Sequence, residues 1–385
     1  MLSCFARRIA ILDYGKPGAF PVTEAGIGSL TVPKREFKLR RAHLAMLSAL
    51  LQALLTFTLD DASHDRLTPA ARAATTARLA GTLAITPAAW NQIMGAGDIS
   101  ADPASTTTAD LATSEIMIQA NPATVFTAGD NQYPRGQIED FTNPDGYAGS
   151  WGRAALKSKT CPTVGNHEYA DPLPGPAGHL AYFTPPCPHR PDLEYAHTSV
   201  GTRIPTVYAY RPAPGSGWWA YVLDSQCTHA EERGPSCART SNQLNWFRTH
   251  MAAHPAKCRI VFWHHPRFGN GAPWGDDTYV YQLYNVSAYQ SRVSLIVNGH
   301  SHSYERFTSM TPDGAIDRSY TAPRSFTVGT GGAPLIPFST AARTGTRYRD
   351  ASHHGVLRIT LGNGYWATEF DRIDGVVADK ATAGC

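Results

Sequence analysis

The chain has 385 residues, 42% of them hydrophobic and 17% charged, a composition that supports one large folded domain or two small ones and excludes a disordered polymer. Its 34 Lys and Arg against 31 Asp and Glu leave a net charge of +3, which excludes a global basic field for nucleic acid. The 33 Gly and 28 Pro point to many loops on a β-rich scaffold.

Residues 1–33 show no periodicity. The basic stretch Lys34 to Arg41 then precedes an apolar run from Leu44 to Leu59, the order of the n-region and h-region of a secretory signal. Ser48, Gln52, Thr56 and Thr58 interrupt that run, so no stable membrane span is expected. Residues 1–60 are therefore read as an N-terminal extension with a signal-like segment near 34–59, and the protein is expected to be secreted or extracytoplasmic. Residues 61–88 form an Ala/Thr-rich linker or a single packing helix starting at Thr68-Pro69. Residues 89–385 are one domain.

Within that domain, apolar runs of strand length recur at Val125–Thr127, Trp218–Leu223, Ile260–Trp263, Val293–Val297, Ser325–Val328 and Val356–Leu361. Helical patterns lie between them at Ala109–Ala120 and Ser241–Ala253, the second capped by Ser241. Alternating strands and helices predict an α/β fold of packed sheets flanked by helices. Of seven cysteines none forms a C-x-x-C pair, which argues against a zinc ribbon. Cys227 and Cys237 flank a polar, turn-rich stretch, and a disulfide is expected to close it.

Most of these strands end in Gly, Asp, Asn or His. The steps are Gly97-Asp98, Gly129-Asp130-x-x-Tyr133, Gly165-Asn166-His167-Glu168, His264-His265-Pro266 and Gly299-His300-Ser301-His302, followed by Tyr304-Glu305-Arg306. Each glycine would let the backbone turn beside an ion, and the donors (carboxylate, amide, imidazole, phenol) suit zinc, iron or manganese better than calcium. Taken singly, each step has a plainer reading: a turn, a helix cap, a core tyrosine or a satisfied core histidine. His353 and His354 fall outside every step and are read as structural. Arg306 is expected to pair with a carboxylate, Arg267 could reach a phosphate, and Trp151 and Trp274 could line a cleft or sit in the core.

The ordered set resembles the calcineurin-like metallophosphoesterase superfamily, over roughly residues 90–385, and in detail its purple-acid-phosphatase branch of secreted bacterial type. The resemblance implies a four-layered α/β/β/α sandwich of two mixed sheets, with residues 89–385 as the catalytic domain. It also implies two metal ions per chain, Fe(3+) with Zn(2+), Fe(2+) or Mn(2+). Asp130 would bridge them. Asp98, Asp130, Tyr133 and His302 would hold one, and Asp130, Asn166, His264 and His300 the other. Most of the superfamily carries Asp-x-His in the first step, whereas here Ser100 follows Asp98-Ile99, and Tyr133 fills the gap. If His300-Ser301-His302 is extended, its imidazoles share one face and reach adjacent ions. The activity implied is that of a phosphomonoesterase acting on a small phosphoester by in-line attack of a metal-bound hydroxide. His167 would be the general acid, Glu168 would orient it, and His265 would face the substrate. A phosphodiesterase or nucleotide-hydrolysing enzyme on the same site, or a secreted metal-binding protein without activity, are the alternatives. Nothing in the sequence sets the oligomeric state.

Overall fold

The computed structural model describes residues 89–385 except 103–107, 172, 228–234, 272–275, 290–292 and 339–340. The signal-like segment, the Ala/Thr-rich stretch and Trp274 lie outside the described residues. The described part belongs to one compact unit, Ala84–Cys385.

Two mixed sheets pack face to face. The first runs, edge to edge, β14 (Val377–Gly384), β13 (Tyr365–Arg372), β12 (Gly355–Gly362), β1 (Ala89–Ala96), β2 (Pro122–Thr127) and β3 (Thr160–Cys161). The second runs β11 (Thr346–Asp350), β9 (Tyr304–Phe307), β10 (Arg324–Val328), β8 (Val293–Asn298), β7 (Cys258–Phe262), β6 (Trp218–Val222), β5 (Arg203–Tyr210) and β4 (Glu194–His197). Strands β1–β2–β3 and β6–β7–β8 pair in parallel, so their C-terminal ends open on one rim. Parallel strands buried on both faces read as continuous apolar runs, which is why β7 and β8 were legible.

The core between the sheets takes Ile93, Phe126, Phe262, Leu295, Val297, Phe326 and Leu357, all fully buried. Helix α1 (Ala109–Ala120) covers the outer face of the first sheet. Helices α2 (Asn242–Ala253) and α3 (Tyr281–Tyr289) cover the second, packing Leu244, Phe247, Leu283 and Val286 against Val261, Trp219 and Ile296. The result is the expected α/β/β/α sandwich. Ser241 caps α2 by accepting the Leu244 N–H at 3.4 Å. In α1 the buried residues are Asp110, Thr113, Ser114 and Met117, while Leu111 is exposed. A polar face turns inward because Thr113 donates to Gly331 O at 2.6 Å and accepts from Trp151 Nε1 at 3.0 Å. Trp151 is thus a core residue.

Three disulfides bind the unit: the expected Cys227–Cys237, and also Cys161–Cys187 and Cys258–Cys385. The last closes a span of 127 residues, a constraint worth roughly 4–5 kcal/mol in the chain-entropy account. Among the described residues no helix is long and apolar enough to cross a membrane.

Candidate metal centre

The loops that leave β1 and β2 run side by side beyond the sheet. Asp98 N donates to Gly129 O at 3.0 Å, Ile99 N to Asp130 O at 2.9 Å and Ser100 N to Asn131 O at 3.0 Å. This brings Asp98 and Asp130 together on the open rim. Both take left-handed backbone (φ 55° and 49°), as does His300 (φ 68°) after β8. Such conformations cost on the order of 1 kcal/mol for a residue with a Cβ and cluster where a side chain must be aimed. The glycines before them serve mostly a different end from the sharp turn expected. Only Gly129 has positive φ (88°). A Cβ on Gly165 would stand 2.2 Å from Asp130 Oδ1, and one on Gly299 2.7 Å from Asp98 Oδ2, so these glycines give carboxylates room.

All seven expected donors converge. Tyr133 Oη lies 2.9 Å from Asp98 Oδ1, 3.1 Å from Asp130 Oδ2 and 3.0 Å from His302 Nε2. His302 Nε2 is 3.2 Å from Asp98 Oδ1. On the other side, His264 Nε2 lies 3.2 Å from Asp130 Oδ2, 3.1 Å from Asn166 Oδ1 and 3.3 Å from His300 Nδ1. His300 Nδ1 is 3.0 Å from Asn166 Oδ1. Two groups of four therefore meet at one atom, Asp130 Oδ2. Residues 300–302 are not extended, contrary to expectation: Ser301 N bonds to Gly299 O at 2.8 Å, a tight turn around the left-handed His300. The turn lets one imidazole present Nδ1 and the other Nε2.

The remaining ring nitrogens are tied to backbone. His264 Nδ1 donates to Ala128 O at 2.8 Å and His302 Nδ1 to Pro334 O at 2.7 Å. Each bond leaves Nε2 to face the cluster, the usual arrangement behind a metal-bound imidazole. Burial opposes charge on His264, but the Asp130 carboxylate outweighs it and lifts the ring to about 9. His302 rises to about 9 in the same way beside Asp98. Burial, with His264 nearby, pushes His300 down to about 3. Burial also works against the Asp130 charge, yet His264 and His167 hold its carboxyl well below the ordinary range. The Tyr133 phenol is driven well above its ordinary value by burial and by both aspartates, so only a strongly charged cation would ionise it. Acceptor lone pairs from four oxygens and three imidazoles thus point at two centres around one carboxylate. Two cations suit this donor set.

His167 is half-buried beside the cluster. Its Nδ1 donates to Pro134 O at 2.6 Å, and its Nε2 turns toward Asp130 Oδ2 at 3.9 Å. Its ring packs against Tyr133 at 4.1 Å. Glu168 does not orient it. The Glu168 carboxylate is fully buried and gathers N–H groups of Gly165 (2.6 Å), Asn131 (2.6 Å) and Asp130 (3.1 Å), pinning two donor loops from beneath. Burial, then the Asp130 charge, push it up to about 7 against the pull of those N–H groups. His265 does not face the open rim either. It is 1% exposed, bonded through Nδ1 to Ser225 Oγ at 2.8 Å and packed on the His300 ring at 4.4 Å. The chain bends at this pair, whose rings meet edge to face at 5.0 Å, and His264 presents its Nε2 to the cluster.

Arg306 pairs with Asp379 through two bonds of 2.7 Å, as expected. Arg267 lies over the Phe268 and Tyr281 rings and not at the cluster. His353 bonds Asp350 at 2.9 Å and His354 bonds Thr330 O at 3.3 Å. The loop after β10 was missed by sequence reading. Gly331 N donates to Gly97 O and Ala333 N to Asp98 O, both at 2.9 Å, so Gly329-Thr330-Gly331-Gly332 forms a floor under Asp98. Its signal was the glycine cluster directly after a strand.

A family model described as calcineurin-like phosphoesterase matches residues 93–304, just over half of the chain and every donor named above. The chain belongs to the calcineurin-like phosphoesterase family. Comparison with curated proteins returned no match. Among solved structures, a purple acid phosphatase from yellow lupin (Lupinus luteus) seeds shares 17% identity at a TM-score of 0.56. That match covers 76% of this chain and 53% of the lupin one, so the chain spans about half of that relative's length. GAP50, the anchor in the inner membrane complex of Plasmodium, matches at 13% identity and a TM-score of 0.53, covering 76% of this chain and 89% of that one. At these identities the likeness is one of fold.

Proposed function

We propose that the chain is a two-metal phosphomonoesterase of purple-acid-phosphatase type, acting on small phosphoesters. The observation that carries the proposal is the meeting of two four-donor groups at Asp130 Oδ2, with Tyr133 Oη within 3.1 Å of three of its neighbours. Asp98, Asp130, Tyr133 and His302 would hold one ion, and Asp130, Asn166, His264 and His300 the other. A phenol donor favours Fe(3+) in the first position, with Zn(2+), Fe(2+) or Mn(2+) in the second. When bound, such a pair supplies Lewis acidity and lowers the pKa of water.

The protein's own groups do the rest. The Pro134 carbonyl holds His167 Nδ1–H, so any proton His167 delivers leaves from Nε2, the nitrogen that faces the cluster. His167 is thereby placed to protonate a leaving alkoxide. Glu168 acts through the backbone, keeping the Asp130 and Asn166 loops in register. Three disulfides suit an oxidising, extracytoplasmic compartment, in keeping with the signal-like segment.

The test is elemental analysis with a visible spectrum and two substrates, p-nitrophenyl phosphate and bis-p-nitrophenyl phosphate. Two ions per chain, a visible phenolate-to-iron band that Tyr133→Phe abolishes, and faster monoester turnover are expected. An active protein with no more than trace metal would sink the proposal, and a preference for the diester would overturn the substrate class.

A further inference from the structure

On the outer face of the second sheet, away from the family's donor set, three other side chains point at one spot. Helix α2 presents His250 in its last turn and His254 at its C-cap, one above the other as residues four apart on a helix must be. Their rings stack at 4.0 Å. Glu194, the first residue of edge strand β4, reaches across to both. Its Oε2 is 3.3 Å from His250 Nε2 and its Oε1 3.4 Å from His254 Nε2.

Both imidazoles are oriented from behind. His254 Nδ1 donates to His250 O at 3.0 Å, which leaves its Nε2 lone pair facing Glu194. His250 Nδ1 is bonded to the Tyr221 hydroxyl at 3.1 Å. Trp219 packs edge-on against both rings and Trp246 against His250. Arg259, the nearby cation, is engaged elsewhere, by the carbonyls of Met251 and His254 at 3.0 Å each.

The decisive detail is His250 Nε2. It is buried, faces the Glu194 carboxylate, and makes no hydrogen bond. A buried ring nitrogen without a hydrogen bond needs a reason. Its contact with Glu194 Oε2 at 3.3 Å is at ion-pair distance but lacks hydrogen-bond geometry. A metal ion satisfies the nitrogen without one. Ligand atoms 2.0–2.1 Å from a tetrahedral zinc lie about 3.3–3.4 Å from one another. The observed 3.3 Å and 3.4 Å are edges of such a figure. The C-terminal end of a helix also carries partial negative charge, which favours a cation.

We propose that Glu194, His250 and His254 form a third metal site, selective for zinc-like divalent ions, that ties edge strand β4 to helix α2. Two nitrogens and one carboxylate make a three-residue zinc set. The side chains of Glu194 and His254 are 47% and 32% exposed, so the fourth position opens to water. This site is independent of the proposed catalysis.

The experiment uses the full chain with its two-metal site already filled, titrated with Zn(2+) and then desalted. Wild-type protein should retain one zinc per chain more than His254→Ala and Glu194→Gln, both solvent-facing changes that spare the core. Its thermal midpoint should rise with added zinc, and those of the variants should not. Cobalt should give tetrahedral visible absorption in the difference between wild type and His254→Ala. Equal zinc content in wild type and both variants, or equal zinc-dependent shifts in midpoint, would overturn the proposal. Repeating the titration in Asp130→Asn separates the sites: the zinc lost with His254→Ala should still bind there.

Discussion

The two sheets contribute unlike halves to the candidate centre. Every oxygen donor (Asp98, Asp130, Tyr133, Asn166) follows β1, β2 or β3 of the first sheet, and every imidazole (His264, His300, His302) follows β7 or β8 of the second. Each half rests on its own buried glutamate. Glu168 gathers N–H groups of Gly165, Asn131 and Asp130 under the oxygen half. Glu305 accepts from Asn270 N at 3.0 Å and from its side-chain amide, fixing the loop that follows His264. The halves differ in how the anchor works. Glu168 grips the donor residues' own backbone, whereas Glu305 grips a loop six residues beyond a donor. Neither sheet alone holds either group of four, so metal affinity should report on sheet packing.

The harshest way to break the comparison is Asp130→Asn, because Asp130 Oδ2 lies in both groups. Both ions and essentially all activity should be lost together, as elemental analysis and turnover of p-nitrophenyl phosphate would show. Loss of one ion only would mean that the halves bind separately. Next comes His167→Ala, which removes no donor of either group. It should keep both ions and lose roughly 10²–10⁴-fold in rate, with a smaller loss on esters of good leaving groups. If it strips a metal instead, His167 belongs to the oxygen half.

Glu168→Gln should weaken metal binding by about 10–100-fold, the usual worth of a group that orients ligands. Competition with a chelator measures it, and an unchanged affinity would reduce Glu168 to a packing role. Glu305→Gln should leave activity within a few-fold and change the pH dependence of stability. Burial lifts the Glu305 carboxyl from 4.5 to about 7, so folding favours its neutral form. That contribution is complete below pH 4.5 and is lost as the pH rises through about 7, a fall of roughly 3 kcal/mol at 1.36 kcal/mol per unit. Urea melts across that range should show a smaller fall in Glu305→Gln than in wild type, the share due to Glu168 remaining in both.

Much of this was legible in the sequence for a physical reason. Parallel central strands such as β7 and β8 must be apolar on both faces, and ligand loops must leave their C-terminal ends, so run and motif adjoin. Strands at or next to the sheet edges gave weaker signals. Strand β14 mixes small and polar residues without a clean alternation, and β5, beside edge strand β4, carries Pro205. Glu168 and His265 were misread because each adjoins a residue that faces the rim, and adjacency in sequence says nothing about which side a chain turns to. The pair His250 and His254 went unnoticed because their third member, Glu194, comes from a strand that periodicity did not reveal.

Three of the seven donors sit in left-handed backbone, at Asp98, Asp130 and His300. Glycine would occupy each position with less strain, and would delete the donor. Selection for heat tolerance alone would therefore be expected to drift toward glycine at these places, yielding hardier proteins with an emptied centre. Libraries built to toughen this scaffold should hold those three codons fixed, or screen for turnover in the same round.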